Sequence, residues 1–229
     1  MKPKLSILDP NPTPLQYLSG LSQELFREIY IKRDDLTPFG GGGNKLRKLE
    51  YLMIEALNSQ ATTIVTVGGP QTNHGRLTAA VAAKFGLKCI IVAVGDTDGE
   101  LSGNLLLDGI FGARVVLKHD DGRDQDVQLE ETVKKVMAAE LKKGEQVYFI
   151  PMGGSDTTGM LAIWTVPANS MPRPRNSRST ERRSMSPSAA WHISRLILRP
   201  ESHSVELEAG RDCRHALRYG KTEGVLPAG

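Results

Sequence analysis

A lysine that follows four consecutive glycines is the first candidate for chemistry in this chain. The run Gly40-Gly41-Gly42-Gly43 suits neither helix nor strand; it suits a sharp turn or a close approach to a ligand. Leu46, Leu49, Leu52, Met53, Ala56 and Leu57 then recur at helical spacing, which predicts a helix from about Asn44, with Asn44 as its N-cap. Lys45 falls in the first turn, where the helix dipole is positive and a cation is unfavourable. A lysine held there and partly desolvated has a lowered pKa. It is then a nucleophilic amine suited to forming a Schiff base with an aldehyde. Taken alone, a lysine at a helix start is ordinarily solvated surface. The order Gly-Asn-Lys-Leu does not fit a nucleotide P-loop, which needs Gly-Lys followed by Ser or Thr. Nor does a strand lead into a G-x-G-x-x-G turn, as a dinucleotide fingerprint requires.

The second group is Gln71, Thr72, Asn73 and His74, in the turn Gly68-Gly69-Pro70-Gln71-Thr72-Asn73-His74. This turn runs from a strand to a helix. The backbone N–H groups at the helix start, with the Thr72 and Asn73 side chains, can hold a carboxylate or phenolate oxygen. His74 is an acid/base candidate or a polar residue of the first turn; alone it reads as structural. A third glycine-rich turn, Pro151 to Gly159, carries an N-cap signal and alone is only a turn.

The elements that must position these groups follow a regular rhythm. Residues 1–28 open with four prolines as an extended lead-in, with a short helix over Leu18–Phe26; Glu28–Arg33 alternates as a strand. Strands are predicted over Thr62–Val67, Cys89–Val94, Ala113–Leu117 and Gln146–Ile150. Helices are predicted over Asn44–Asn58, Asn73–Phe85, Leu101–Phe111 and Gln125–Lys143. Strands without polar alternation, separated by helices, indicate an α/β fold whose parallel sheet is covered on both faces. Ligands of such sheets bind beyond the carboxyl ends of the strands, which here means Gly68–His74, Gly95–Ser102 or Pro151–Thr158.

Charge narrows the function classes. Up to Trp164 the chain holds 18 Lys and Arg against 20 Asp and Glu; from Thr165 on the figures are 11 and 6. The near-neutral body carries no electrostatic footprint for nucleic acid. Cys89 and Cys213 offer neither a disulfide framework nor a metal-ligand spacing, so no metal is expected. No apolar run is long enough for a membrane, and Met1-Lys2-Pro3-Lys4 does not open a signal peptide, so a cytoplasmic protein is expected.

Several motifs in order carry a resemblance. They are Ile31-Lys32-Arg33-Asp34-Asp35, Gly42-Gly43-Asn44-Lys45-Leu46-Arg47-Lys48-Leu49-Glu50, Gln71-Thr72-Asn73-His74-Gly75-Arg76 and Ile150-Pro151-Met152-Gly153-Gly154-Ser155. Over residues 10–164 they resemble the D-cysteine desulfhydrase / 1-aminocyclopropane-1-carboxylate deaminase family, pyridoxal 5′-phosphate enzymes of fold type II. The resemblance implies that Lys45 is the Schiff-base lysine and a catalytic residue. It implies that Asn44 and Asn73 bind the cofactor, Asn73 through the ring oxygen, and that Gln71, Thr72, Asn73 and His74 grip the substrate carboxylate. Thr72, the second catalytic candidate, stands where the family usually has Ser; the hydroxyl is kept and a methyl is added. Leu46 after the lysine and His74 after Asn73 resemble the desulfhydrase branch. That branch takes D-cysteine to pyruvate, hydrogen sulfide and ammonia. The alternatives are the cyclopropane-type deaminase and a catalytically inactive remnant. The resemblance also implies a small amino-acid substrate and a homodimer. Residues 1–50 would belong to the larger domain and 51–160 to the smaller.

The composition changes after Trp164. Thr165–Gly229 holds ten Arg and one Lys, six of the thirteen prolines, and nine serines. Apolar periodicity vanishes apart from Trp191–Leu198. The stretch reads as an atypical, disordered tail from about residue 161, or as an out-of-frame translation that replaces the family's phosphate-binding Gly/Ser loop. Synonymous codons for Ser184 to His192, read two nucleotides later, can encode His-Val-Thr-Val-Gly-Ser-Leu-Ala, which is similar to that loop. Only the arginine count speaks for nucleic acid, which is not the expected partner.

Overall fold

The computed structural model describes residues 13–26, 28–95, 102–164 and 196–198. The chain starts with strand β1 (Leu15–Tyr17), helix α1 (Ser19–Glu24) and strand β2 (Ile29–Lys32). Helix α2 (Lys45–Asn58) follows the glycine run. Then come β3 (Thr63–Gly68), α3 (Asn73–Lys84), β4 (Lys88–Val94), α4 (Gly103–Ile110), β5 (Arg114–Lys118), α5 (Gln125–Lys142) and β6 (Val147–Ile150). Helix α6 (Thr157–Trp164) and a short strand β7 (Leu196–Leu198) complete the described elements.

Among the described residues four strands pair in the order β5-β4-β3-β6, all parallel. The β-branched runs of β3 and β4 are buried except at Lys88, as central parallel strands must be. Side chains alternate between the faces. Ile64, Cys89 and Ile91 pack with Leu77 and Val81 of α3 and with Leu49, Leu52 and Met53 of α2. Val65, Val67, Ile90, Val92 and Val94 meet Leu129, Val133 and Val136 of α5 on the other face. The covered parallel sheet expected from the sequence is the one observed.

Chain order along the sheet locates the crevice. β3, β4 and β5 step outward in one direction, and the chain then returns to place β6 on the far side of β3. Right-handed crossovers therefore put α3 and α4 on one face and α5 on the opposite one. The direction of winding reverses between β3 and β6, so the turns after these two strands open onto the switch point where ligands bind. A hydrogen bond from Thr66 Oγ1 to the Ile150 carbonyl (2.9 Å) ties the strands at that end.

A second sheet, β1-β2-β7, is antiparallel, with Leu15 opposite Lys32 and Ile29 opposite Leu198. Its link to α2 is ionic. Arg47 donates to both carboxylate oxygens of Asp34, at 2.7 and 2.6 Å, and the Thr13 hydroxyl bonds the same carboxylate at 2.7 Å. Lys32 donates to the Thr13 carbonyl. Asp34 is 4% exposed, so the pair is largely withdrawn from water.

Some expectations change. Asn44 stands at the N-cap position of α2, but its side chain makes no capping bond, because its backbone is already helical (φ −64°, ψ −20°). A capping side chain reaches back over the first turn from an extended residue. β1 emerges within the proline-rich lead-in and α6 within the third glycine turn. α2 runs unbroken through the expected domain division at residues 50 and 51. The expectation of a disordered or out-of-frame tail concerns residues 161–229: 161–164 end α6 and 196–198 form β7, and the rest lie outside the described residues. No helix among the described residues is long and apolar enough to cross a membrane.

Removing the carboxylate of the buried pair should be costly, because it strands Arg47 against the core. Asp34→Ala is expected to lower stability by roughly 3 kcal/mol in urea denaturation. An exposed control such as Glu24→Ala is expected to move it by less than about 0.5 kcal/mol.

Candidate active site

The glycine run is a backbone reversal. Gly40, Gly41, Gly42 and Gly43 all have positive φ (58°, 80°, 74° and 133°), a region that side chains resist. A Cβ at Gly42 would stand 2.2 Å from the Asp35 carbonyl oxygen, so no other residue fits without rebuilding the turn. The Gly43 N–H donates to the Asp34 carbonyl (2.9 Å), and Arg76 Nη2 on α3 donates to the Gly42 carbonyl (3.0 Å). The reversal is thus pressed against α3 from one side and anchored to the Asp34 turn from the other.

Lys45 is the first residue of α2 and is only 5% exposed. Burial lowers its pKa to about 8, and the charge of Lys48 one turn later adds to the shift. The first turn of α2 holds no acidic residue that would oppose this. Lys48 is buried too; its ammonium donates to the Gly153 carbonyl (3.0 Å) and to Ser155 Oγ (3.3 Å) in the turn after β6. Burial lowers its pKa, with Asp156 pulling the other way.

His74 lies under these amines at 3% exposure. Its pKa falls to about 3, first through burial and then through the charges of Lys45 and Lys48, so the ring is neutral at ordinary pH. Thr78 Oγ1 lies 3.5 Å from Nε2 and donates to the His74 carbonyl at 2.8 Å. Nδ1 is buried without a hydrogen-bond partner among the described residues.

The strand-to-helix turn supplies the opposite wall. Thr72 is extended (φ −66°, ψ 121°) and caps α3, its Oγ1 accepting from the Gly75 N–H at 3.2 Å. Its methyl lies over Gly75, where an added Cβ would come within 2.4 Å of it. Gln71 and Asn73 are exposed and are joined through Asn104 at the start of α4. Asn104 Nδ2 donates to the Gln71 carbonyl (2.8 Å) and to Asn73 Oδ1 (3.1 Å). The structure therefore couples Lys45 to His74 through their charges and joins Gln71 to Asn73. Asn44 is half-buried beside Lys45. Lys48, Arg76 and Asn104 had no role assigned from sequence. Lys48 was findable, being three residues after Lys45 and so on the same helix face. Arg76 and Asn104 act across 34 and 33 residues of chain, a separation that periodicity does not report.

A parallel α/β sheet whose switch point lies beside a buried lysine of lowered pKa is an arrangement suited to holding a carbonyl compound through an amine. A family model described as pyridoxal-phosphate dependent enzyme matches residues 8–167. The chain belongs to the pyridoxal-phosphate-dependent enzyme family. It is 47% identical over 150 residues to a protein of Thermotoga maritima named putative 1-aminocyclopropane-1-carboxylate deaminase, covering 65% of this chain and 46% of that one. It is 44% identical over 164 residues to a D-cysteine desulfhydrase of Salmonella paratyphi B, covering 69% and 48%. A crystal structure described as an ACC deaminase homologue matches with TM-score 0.62 at 40% identity, over 70% of this chain and 47% of that one. The chain spans about half the length of the curated relatives it matches. The fold-type-II architecture implied by the motifs is thereby shown.

A pKa of about 8 has a kinetic consequence: the neutral, reactive fraction of Lys45 rises with pH and levels off above 8. Modification at residue 45 by a small aldehyde, followed by mass spectrometry, is expected to reach half its maximal rate near pH 8. An ordinary exposed lysine keeps gaining rate to about pH 10.

Proposed function

We propose that this chain carries the lysine-bearing part of a pyridoxal 5′-phosphate-dependent carbon–sulfur lyase whose substrate is D-cysteine. The observation that carries the proposal is the Lys45 amine, buried beside the glycine reversal with its pKa lowered to about 8. The residues fit the group. An amine whose neutral form becomes accessible near pH 8 suits an aldehyde. A site that withdraws two lysines from water, with His74 Nδ1 unpartnered among the described residues, suits an anionic, hydrogen-bonding ligand. Lys45 would hold the aldehyde carbon, and Asn44 and Asn73 would hold the ring.

Bound there, the cofactor supplies an electron sink for the pair left behind when an amino acid gives up its α-proton. The protein's own part is positional and acid–base. The Gln71–His74 turn, capped by Thr72, orients the substrate carboxylate at the N-terminus of α3, where the helix dipole favours a negative charge. Lys45, displaced by the substrate amine, is the base that takes the α-proton, and its pKa near neutrality suits both directions of transfer. Loss of the β-thiol and addition of water then give pyruvate, hydrogen sulfide and ammonia, which balances D-cysteine plus water. Neutral His74 adds no positive charge that would hold the proton away from Lys45. In this proposal residues 1–50 belong to the larger domain and 51–160 to the smaller, in a cytoplasmic homodimer.

A second reading, deamination of 1-aminocyclopropane-1-carboxylate, is favoured by the names of the Thermotoga relative and of the matching crystal structure. The purified chain mixed with pyridoxal phosphate is expected to show a visible absorbance band that Lys45→Ala abolishes. D-cysteine is expected to change that band and release sulfide; ammonia from the cyclopropane amino acid without sulfide from D-cysteine supports the second reading. A chain that gives no band at all is an inactive remnant, and the proposal then fails.

A further inference from the structure

The polarity of three side-chain amides beside the α3 N-terminus is fixed by backbone groups. Asn104 Nδ2 lies 2.8 Å from the Gln71 carbonyl oxygen, which can only accept, so this end of Asn104 is the NH2. The same nitrogen lies 3.1 Å from the Asn73 amide, whose facing atom must therefore be Oδ1. The Asn104 backbone N–H can only donate, and it lies 2.8 Å from the Gln71 side chain, which makes that atom Oε1. Gln71 Nε2 then donates to the Ser102 carbonyl at 3.1 Å. Reversing any one of the three amides breaks at least one of these bonds.

The start of α4 is shaped for this clasp. Gly103 has φ +57°, and a Cβ there would stand 2.5 Å from Gln71 Oε1, so a side chain at 103 strains the backbone and pushes the Gln71 amide out of place. Asn73 is left with its carbonyl end engaged and both its donors at the other end.

We infer that Asn104 is a positioning residue that locks Asn73 as a hydrogen-bond donor, so that the α3 N-terminus takes a ligand bearing an anionic oxygen. The inference rests on the proposed function for its ligand: the cofactor's ring oxygen, or the substrate carboxylate. The bonds to Gln71 keep the whole turn in register with α4.

Asn104→Asp in the full chain separates positioning from stability. It keeps the size, the shape and the backbone N–H to Gln71 Oε1, and a carboxylate near the start of α4 favours the helix. It also sets an acceptor against the Gln71 carbonyl and Asn73 Oδ1, which forces the Asn73 amide to reverse. The expected result is an unchanged or raised melting temperature with weaker ligand binding. If the ring oxygen is the acceptor, pyridoxal phosphate affinity falls roughly tenfold. The band's titration midpoint then rises by about one pH unit, since a lost donor destabilises the oxygen anion. If the carboxylate is the acceptor, the loss falls on the KM for the amino acid instead. Neither change is expected when Asn104→Asp is made in the Asn73→Ala background. Wild-type affinity, titration and KM in Asn104→Asp overturn the inference, as does the same change without Asn73.

One measurement needs no cofactor. By NMR the side-chain amide of Asn104 is expected to exchange with water more slowly than that of exposed Asn58, and to lose this protection in Gln71→Ala and Gly103→Ala. A side-chain amide of Asn104 that exchanges as fast as that of Asn58 overturns the inference even where cofactor binds. Protected amides with no cofactor band sink the proposed function, while the locked polarity stands.

Discussion

The chain reversal at Gly40–Gly43, pressed onto α3, sets where α2 and its two buried lysines enter the core. It lets α2 start against the core instead of at the surface, so Lys45 enters the protein at the positive end of its own helix. Two costs come with it: the entropy of ordering four glycines, and a cation in the first turn. They are offset by what α2 buries immediately afterwards, since Leu46, Leu49, Leu52 and Met53 are all at 0% exposure. The Arg47–Asp34 pair and the Arg76 bond to Gly42 hold the reversal from its two sides. A lysine merely placed at a helix start would extend into water; this one is confined because the turn before it cannot move away.

Confinement produces the electrostatics. Lys45, Lys48 and His74 share a small volume, and Asp156 is the acidic side chain that opposes Lys48. Burial acts on all three in the same direction, toward the neutral form. His74 yields completely and Lys45 partly, while Lys48 makes two hydrogen bonds to the turn after β6. The result is a graded set held between α2 and α3: a neutral ring, an amine poised near neutrality and a lysine anchored by two hydrogen bonds. A second buried charge lies behind α3. Both carboxylate oxygens of Asp108 lack a hydrogen-bond partner among the described residues, and burial raises its pKa to about 6 against the pull of Arg76.

How much of this was legible depends on the range of each interaction. The strand–helix rhythm was readable because fully apolar β-branched runs and 3.6-residue periodicity are local signals, and the elements fall within a residue or two of expectation. The importance of Lys45 was readable because glycines in a row have few uses. Thr72 and Asn44 show where local reading stops. Asn44 reads as a cap in sequence yet is already helical and does not cap, whereas Thr72, for which no cap was expected, is extended and caps α3. The difference comes from the glycine reversal, which delivers the chain to α2 in helical geometry. The Asn104 clasp and the Lys48 bond to Gly153 were out of reach, since they join residues 33 and 105 apart through the tertiary fold.

The convergence of α2, α3 and α4 follows from the topology of the sheet rather than from any single contact. β3 is central and β6 arrives on its far side, so the turns after these strands cannot close over each other and leave a crevice. α3 begins at one wall of that crevice. α2 packs beside it on the same face and brings an amine to its edge; α4, next along the sheet, reaches back to orient the amides of the α3 turn. Each helix thus contributes one kind of group: an amine, a set of backbone donors, and a brace that decides which way a side-chain amide points. The brace is the least replaceable in kind. An amine or a helix terminus can be offered by many residues, but the sense of the Asn73 amide depends, through Asn104 Nδ2, on one fixed backbone group, the Gln71 carbonyl across the interface.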